Sequence, residues 1–229
     1  MPNYYPIMLD IRNRPAIVVG GDRVAAEKAA ALSASGAHVT VMNAEFCPEL
    51  YEMAKRHEIT LHQKIYEVGD LAGAFVVVAT ATYDPQLAEA IWNETQQRGQ
   101  LVNIVDVPAR CSFIVPSILR RGQLTISVST EGASPSLSKR IRQRLEGLFP
   151  AAYDTYMQIA VVARRHLRQL DIPYDRRDEF FGEFFSSDIL TLLDEDNLAY
   201  ALALTAELLQ RYGVPISTAT LTTELAAAQ

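Results

Sequence analysis

The run Ala16-Ile17-Val18-Val19-Gly20-Gly21-Asp22-Arg23-Val24-Ala25, passing directly into Ala26-Glu27-Lys28-Ala29-Ala30-Ala31-Leu32, restricts this chain to few folds. An apolar strand that breaks at glycines and continues as a helix is typical of α/β sheets, where backbone N–H groups and a helix N-terminus gather at the strand's end. Such an end suits a dinucleotide pyrophosphate. In the spacing G-x-G-x-x-[GA] the three positions are Gly20, Asp22 and Ala25, so a carboxylate takes the middle place, where backbone and phosphate should meet. Asp22 therefore raises the question of whether the turn still takes its cofactor.

The rest of the chain supports an α/β reading. After the helix Val24–Ser35, stopped by Gly36, His38–Met42 reads as a second strand, and a further helix runs from Pro48 to Arg56. Ile59–Gln63 and the unalternating run Phe75–Ala79 read as the third and fourth strands, the latter buried on both faces. Asp84-Pro85 opens a helix with an N-cap and a proline at its first position, Gly99 closes it, and Leu101–Val105 is the fifth strand, ending at Asp106. Beyond Pro108 the pattern changes. Phe113–Leu119 and Leu124–Ser129 read as a hairpin around Arg120–Gln123, and Ser134-Pro135 opens a helix with Leu137, Ile141, Leu145 and Leu148 on one face. Helices are expected near Ala151–Leu170, Arg176–Phe185 and Asn197–Tyr212, with fraying after Pro215. The expected organisation is an α/β, Rossmann-like parallel-sheet domain over residues 1–112, a β-containing region over 113–149 and a helical domain over 150–229 with a frayed tail.

Charge is unevenly spread. Between Ala109 and Arg144 there are seven basic residues (Arg110, Arg120, Arg121, Lys139, Arg140, Arg142 and Arg144) against Glu131 alone, an excess of +6 in a chain of formal charge −6. The segment holds the hydroxyl-rich loop Ser129–Ser136 ahead of a helix, an arrangement that favours anions. It reads either as a solvated helix face with an ordinary cap or as a pocket for a small polyanion rich in carboxylates or phosphates. The acidic balance gives no reason to expect nucleic acid, no apolar run suggests a membrane span, and the N-terminus lacks signal-peptide blocks, so a cytoplasmic location is expected. Cys47 and Cys111 lack C-x-x-C spacing and His38, His57, His62 and His166 lack H-x-x-x-H spacing, so neither a disulfide framework nor a resident metal is expected.

Several segments, in order and in register from Tyr4 to Leu148, resemble one family: Tyr5-Pro6-Ile7-Met8-Leu9-Asp10, Val18-Val19-Gly20-Gly21 with Val24-Ala25, Val102-Asn103-Ile104-Val105-Asp106, Phe113-Ile114-Val115-Pro116-Ser117 and Ser129-Thr130-Glu131-Gly132-Ala133-Ser134-Pro135. These are similar to the precorrin-2 dehydrogenase/sirohydrochlorin ferrochelatase family of sirohaem synthesis. The resemblance implies a homodimer, joined through the region 113–149, that oxidises precorrin-2 to sirohydrochlorin with NAD. In bifunctional members it also implies insertion of Fe²⁺ as a transient substrate. Longer members carry a fused methyltransferase, so methylation by a separate protein is expected here. The substrate would be a tetrapyrrole with many carboxylate side chains, which fits the basic middle segment.

Asp106 matches the family's catalytic aspartate. It also stands just beyond an apolar strand, where one carboxylate can take the proton lost in oxidation or those lost in metal insertion; otherwise it merely begins a turn before Pro108. Gly20, Gly21, Arg23 and Val24 are expected around NAD, with backbone groups of Ala44 and Glu45 holding the ribose, because no acid ends the second strand and Asn43 and Glu45 are the nearest substitutes. Asn103, Ser129, Thr130 and Ser134 are the expected substrate contacts; Asn103 alternatively orients a loop or caps a strand end. Where the family has glycine, Asp22 adds a negative charge that at about 4 Å from a phosphate oxygen costs ~1 kcal/mol in water and several-fold more at lower dielectric. Arg23 is a candidate to offset it. The alternative function is a chelatase or tetrapyrrole carrier with a degenerate NAD site.

Overall fold

The computed structural model describes residues 4–227 except residue 82. The described residues form two compact units that divide between Val115 and Pro116. In the first unit β1 (Pro15–Val19), α1 (Arg23–Ala34), β2 (His38–Asn43), α2 (Pro48–Lys55) and β3 (Thr60–Gln63) alternate, followed by β4 (Val76–Ala79), α3 (Pro85–Arg98) and β5 (Leu101–Ile104). The strands are parallel, in the order β3-β2-β1-β4-β5.

The apolar run of β4 is buried throughout because its side chains serve two cores. Val76 and Val78 pack with Val18, Val39, Val41 and Leu50 on one face, and Val77 and Ala79 with Ile91, Val102 and Ile104 on the other. Helix α1 buries only Ala25, Ala26 and Ala29, small side chains that let it approach the strands closely. The Asp84 carboxylate accepts from the Gln86 and Leu87 N–H groups, Pro85 follows, and Gly99 ends α3 at φ +65°, as the Asp-Pro start and glycine stop predict. From β1 the chain builds outward through β2 and β3 on one side, then through β4 and β5 on the other. The crevice beyond the C-terminal ends of strands at such a switch point is where α/β sheets take ligands.

A buried carboxylate fixes the segment that leads into β4. Glu94 on α3 accepts from the Tyr66 hydroxyl at 2.7 Å, from the Gly69 and Leu71 N–H groups at 2.9 and 3.2 Å, and from Arg98 Nε at 2.9 Å. Burial pushes this carboxyl up, but the four donors outweigh it and hold the group below the ordinary glutamate value of 4.5. Its contribution to stability is thus present above that value and is lost as pH falls through the depressed one. Glu94→Ala, which strands those donors, is expected to destabilise the fold by about 3 kcal/mol. Chemical denaturation checks the loss, and Glu94→Gln should flatten the acid limb of the stability profile.

The second unit comprises the antiparallel hairpin β6 (Ser117–Arg121) and β7 (Leu124–Val128), then α4 (Pro135–Leu148), α5 (Tyr153–Gln169), α6 (Tyr174–Ser186), α7 (Ile189–Asp194), α8 (Leu198–Arg211) and α9 (Thr218–Ala226). Its core gathers Ile159, Leu167, Phe180, Phe184, Leu202 and Leu209, with Tyr156 stacked on Phe184 at 4.9 Å between ring centroids.

Three local expectations are corrected here. The hairpin begins at Ser117, not Phe113, since Pro116 has no N–H for a ladder and Phe113 packs on the first unit's core. Its turn is Gly122-Gln123 alone, because Arg121 pairs with Leu124. The short helix α7 was not foreseen. Where fraying is expected after Pro215, residues 218–226 form α9: Ser217 caps it, and Leu221 and Leu225, one turn apart, are buried in the core. On α4, by contrast, the apolar stripe Leu137, Ile141, Leu145 and Leu148 is not buried within this chain, and Leu137 and Leu148 are 48% and 69% exposed.

Candidate active site

At the C-terminal end of β1 the glycine turn is confined from two sides. Gly20 adopts φ +148°, and a Cβ there would lie 2.0 Å from the Thr80 hydroxyl at the end of β4. A Cβ on Gly21 would lie 1.9 Å from the Glu45 carbonyl oxygen and 2.5 Å from Asn43 Nδ2. The segment after β2 folds back onto this turn: Cys47 N–H donates to the Gly21 carbonyl at 2.7 Å, and Asn43 Nδ2 donates to the Glu45 carbonyl at 2.7 Å. Only glycine allows that approach. Ala44 is held through its carbonyl, which accepts from Gln63 Nε2 at 3.0 Å.

Asp22 is the N-cap of α1, and its Oδ1 accepts the Ala25 N–H at 2.8 Å. The carboxylate thus satisfies one of the free donors at the helix start, a common aspartate role. The N–H groups of Arg23 and Val24 have no acceptor among the described residues. Arg23 does not offset Asp22 as expected: its guanidinium pairs with Glu49 at 3.2 Å, both side chains largely exposed. A groove lined by Arg23, Ala26, Glu27, Pro48, Glu49 and Met53 runs between α1 and α2, whereas Asp106 follows β5 on the other side of the sheet.

Asp106 stands two residues beyond β5, exposed, at φ +61°. Its carboxylate has no partner among the described residues, so none of them withdraws it from a ligand. Asn103 points elsewhere: its Nδ2 donates to the Phe113 carbonyl at 3.0 Å, which makes it a tie for the loop after Asp106.

In the second unit the loop hydroxyls bond to one another and to the backbone. Ser129 Oγ accepts from the Glu131 N–H at 3.0 Å, Thr130 Oγ1 accepts from the Ser134 N–H at 3.0 Å and meets Ser138 Oγ at 3.1 Å, and Ser134 caps α4. Glu131 and Gly132 both take positive φ. Arg142 pairs with Glu146, while Arg120, Lys139, Arg140 and Arg144 have no acidic partner among the described residues. Ser129, Thr130 and Ser134 thus lie together; Gly20, Gly21, Arg23, Val24, Ala44, Glu45 and Asp106 follow strand ends of the one parallel sheet, and Asn103 lies within β5. Thr80 is the neighbour that sequence reasoning missed. Among the described residues no cluster of three or more His, Cys, Asp or Glu side chains could hold a metal, and no helix is long and apolar enough to cross a membrane.

A five-stranded parallel sheet with a glycine turn at its switch point, followed by a hairpin and helices, defines the class: a Rossmann-type dinucleotide-binding protein with a second, mainly helical unit. Residues 7–117 match the model of an NAD(P)-binding family, and residues 121–148 that of the sirohaem biosynthesis protein central region. The siroheme synthase of Zymomonas mobilis is 39% identical over 176 residues, covering 76% of this chain and 37% of that protein. That of Methylobacillus flagellatus is 36% identical over 184 residues, covering 80% of this chain and 39% of its own length. The chain spans less than half the length of these curated relatives. A solved structure titled SirC, precorrin-2 dehydrogenase, superposes with a TM-score of 0.69 at 27% identity, over 92% of this chain and 99% of that one. Over most of its length the chain is thus similar to proteins of sirohaem biosynthesis and to a precorrin-2 dehydrogenase.

Proposed function

We propose that this chain oxidises precorrin-2 to sirohydrochlorin with NAD and, as a second step at the same site, exchanges two pyrrole protons for Fe²⁺. The observation that carries the reading is the start of α1 just after the glycine turn, where the N–H groups of Arg23 and Val24 have no acceptor among the described residues. These features fit a dinucleotide. Gly20, Gly21, Arg23 and Val24 would hold its pyrophosphate, Ala44 and Glu45 its ribose through backbone groups, and Thr80 borders the same turn. NAD, when bound, supplies the hydride acceptor.

The chain's own part is to bind, orient and deprotonate. Asp106 carries a carboxylate with no competing partner, so it is available to take the proton that leaves the macrocycle as the hydride departs. The same carboxylate is the candidate acceptor for pyrrole N–H protons when the metal enters. Lys139, Arg140 and Arg144, with Ser129, Thr130 and Ser134, are the proposed contacts for the macrocycle's carboxylates. The exposed Leu137 and Leu148 on α4, with half-buried Ile141 and Leu145 between them, support a homodimer joined through the region 113–149. A cytoplasmic location fits this chemistry.

The test is anaerobic incubation of the purified chain with precorrin-2, followed by absorption spectra with and without NAD, then with Fe²⁺. NAD-dependent formation of sirohydrochlorin is expected, with sirohaem after iron is added. Iron insertion into sirohydrochlorin without any NAD-dependent oxidation would support the chelatase reading, which the seating of Asp22 on the Ala25 N–H favours. Neither conversion would overturn both.

A further inference from the structure

The turn that carries Asp106 is closed by the Val107 N–H, which donates to the Ile104 carbonyl at 3.1 Å, and is bridged a second time by a thiol. Cys111 Sγ accepts the Ile104 N–H at 3.3 Å and lies 3.3 Å from the Ile104 carbonyl oxygen and 3.4 Å from that of Val107, so its one S–H donates to one of these oxygens. Ile104 and Val107 flank Asp106. Further ties surround the same loop: Asn103 Nδ2 donates to the Phe113 carbonyl and lies 3.6 Å from Cys111 Sγ, Ser112 Oγ accepts the Val102 N–H at 2.8 Å, and Arg110 pairs with Glu89 on α3. Asp106 itself is left-handed at φ +61°, a conformation uncommon outside glycine that aspartate and asparagine adopt more readily than other residues. Among the described residues its carboxylate has no partner, so there the backbone aims it.

We propose that Cys111 is a positioning residue for Asp106: its thiol ties the two limbs of the turn together and so preserves the left-handed backbone that points the carboxylate out of the sheet edge. The proposal rests on the reading of Asp106 as the base. Burial pushes the thiol's pKa up, so at neutral pH it keeps its proton and acts as donor and acceptor rather than as a nucleophile. A serine hydroxyl offers the same two functions with a shorter reach, and alanine offers neither.

The experiment compares wild type, Cys111→Ala and Cys111→Ser in NAD-dependent oxidation of precorrin-2, alone and in an Asp106→Asn background. It adds amide hydrogen exchange at Ile104 and Val107, measured by NMR without substrate or cofactor. Cys111→Ala is expected to lower kcat by about tenfold, the scale of a misplaced catalytic group, with the KM for NAD unchanged. Cys111→Ser should recover most of that loss, and Cys111→Ala should cost nothing further once Asp106 is gone. An unchanged kcat in Cys111→Ala beside an active wild type overturns the proposal, as does an equal loss in the Asp106→Asn background. A wild type that leaves precorrin-2 unoxidised is a failure of the functional reading instead, and exchange then decides. Faster exchange confined to Ile104 and Val107 in Cys111→Ala supports the tie, and unchanged exchange removes it.

Discussion

Asp106→Asn is expected to lower the rate of precorrin-2 oxidation by roughly 10²- to 10⁴-fold, the usual contribution of a positioned general base. Asparagine is the informative replacement because, like aspartate, it tolerates the left-handed backbone found here at φ +61°, whereas alanine would add strain of its own. The carboxylate is exposed and has no partner among the described residues, so its loss should leave the unfolding midpoint and the affinity for NAD unchanged. Iron insertion should fall in the same variant if one base serves both steps. Rates at saturating NAD, measured beside thermal unfolding, separate loss of chemistry from loss of fold. A variant that oxidises at the wild-type rate removes Asp106 from the chemistry.

The second large effect lies at the glycine turn, where two neighbouring substitutions should act in opposite directions. Gly21→Ala would place a methyl group 1.9 Å from the Glu45 carbonyl oxygen, which is backbone, so either the turn or the loop after β2 must move. Loss of measurable NAD binding is expected. Asp22→Gly removes a carboxylate that now sits on the Ala25 N–H at 2.8 Å, and thereby frees a donor and removes a negative charge beside the proposed pyrophosphate site. At ~1 kcal/mol or more of relieved repulsion, NAD affinity should rise by about five- to tenfold or beyond. Replacing an aspartate N-cap by glycine costs only a few tenths of a kcal/mol, so stability should barely change. Equal NAD affinity in wild type and Asp22→Gly would mean that the carboxylate does not face the phosphates at all.

What the sequence discloses, and what it conceals, follows from the range over which each determinant acts. The turn after β1, the Asp84-Pro85 start and the Gly99 stop of α3 are local, since each depends on a few consecutive residues, and all three stand as read. The unalternating β4 run was legible because burial on both faces is written into it. Thr80 was not: nothing beside it in the chain marks it, and only the pairing of β1 with β4 brings its hydroxyl against Gly20. The position of Asp22 was plain, but not the direction of its carboxylate, although the rule for helix caps favours the bond to Ala25 that it makes. Asn103 and Cys111 show the same limit, since their partners lie across a loop. The α9 segment was missed because Leu221 and Leu225 are its only large buried side chains, set among threonines and alanines that read as weakly structured.

Calorimetric titration of the purified chain with NAD tests the central claim most directly. Saturable binding to one site per chain, with a Kd below about 1 mM, is expected for wild type, tighter for Asp22→Gly and absent for Gly21→Ala. Heats no larger than dilution for both wild type and Asp22→Gly, at several-fold that concentration, would contradict it.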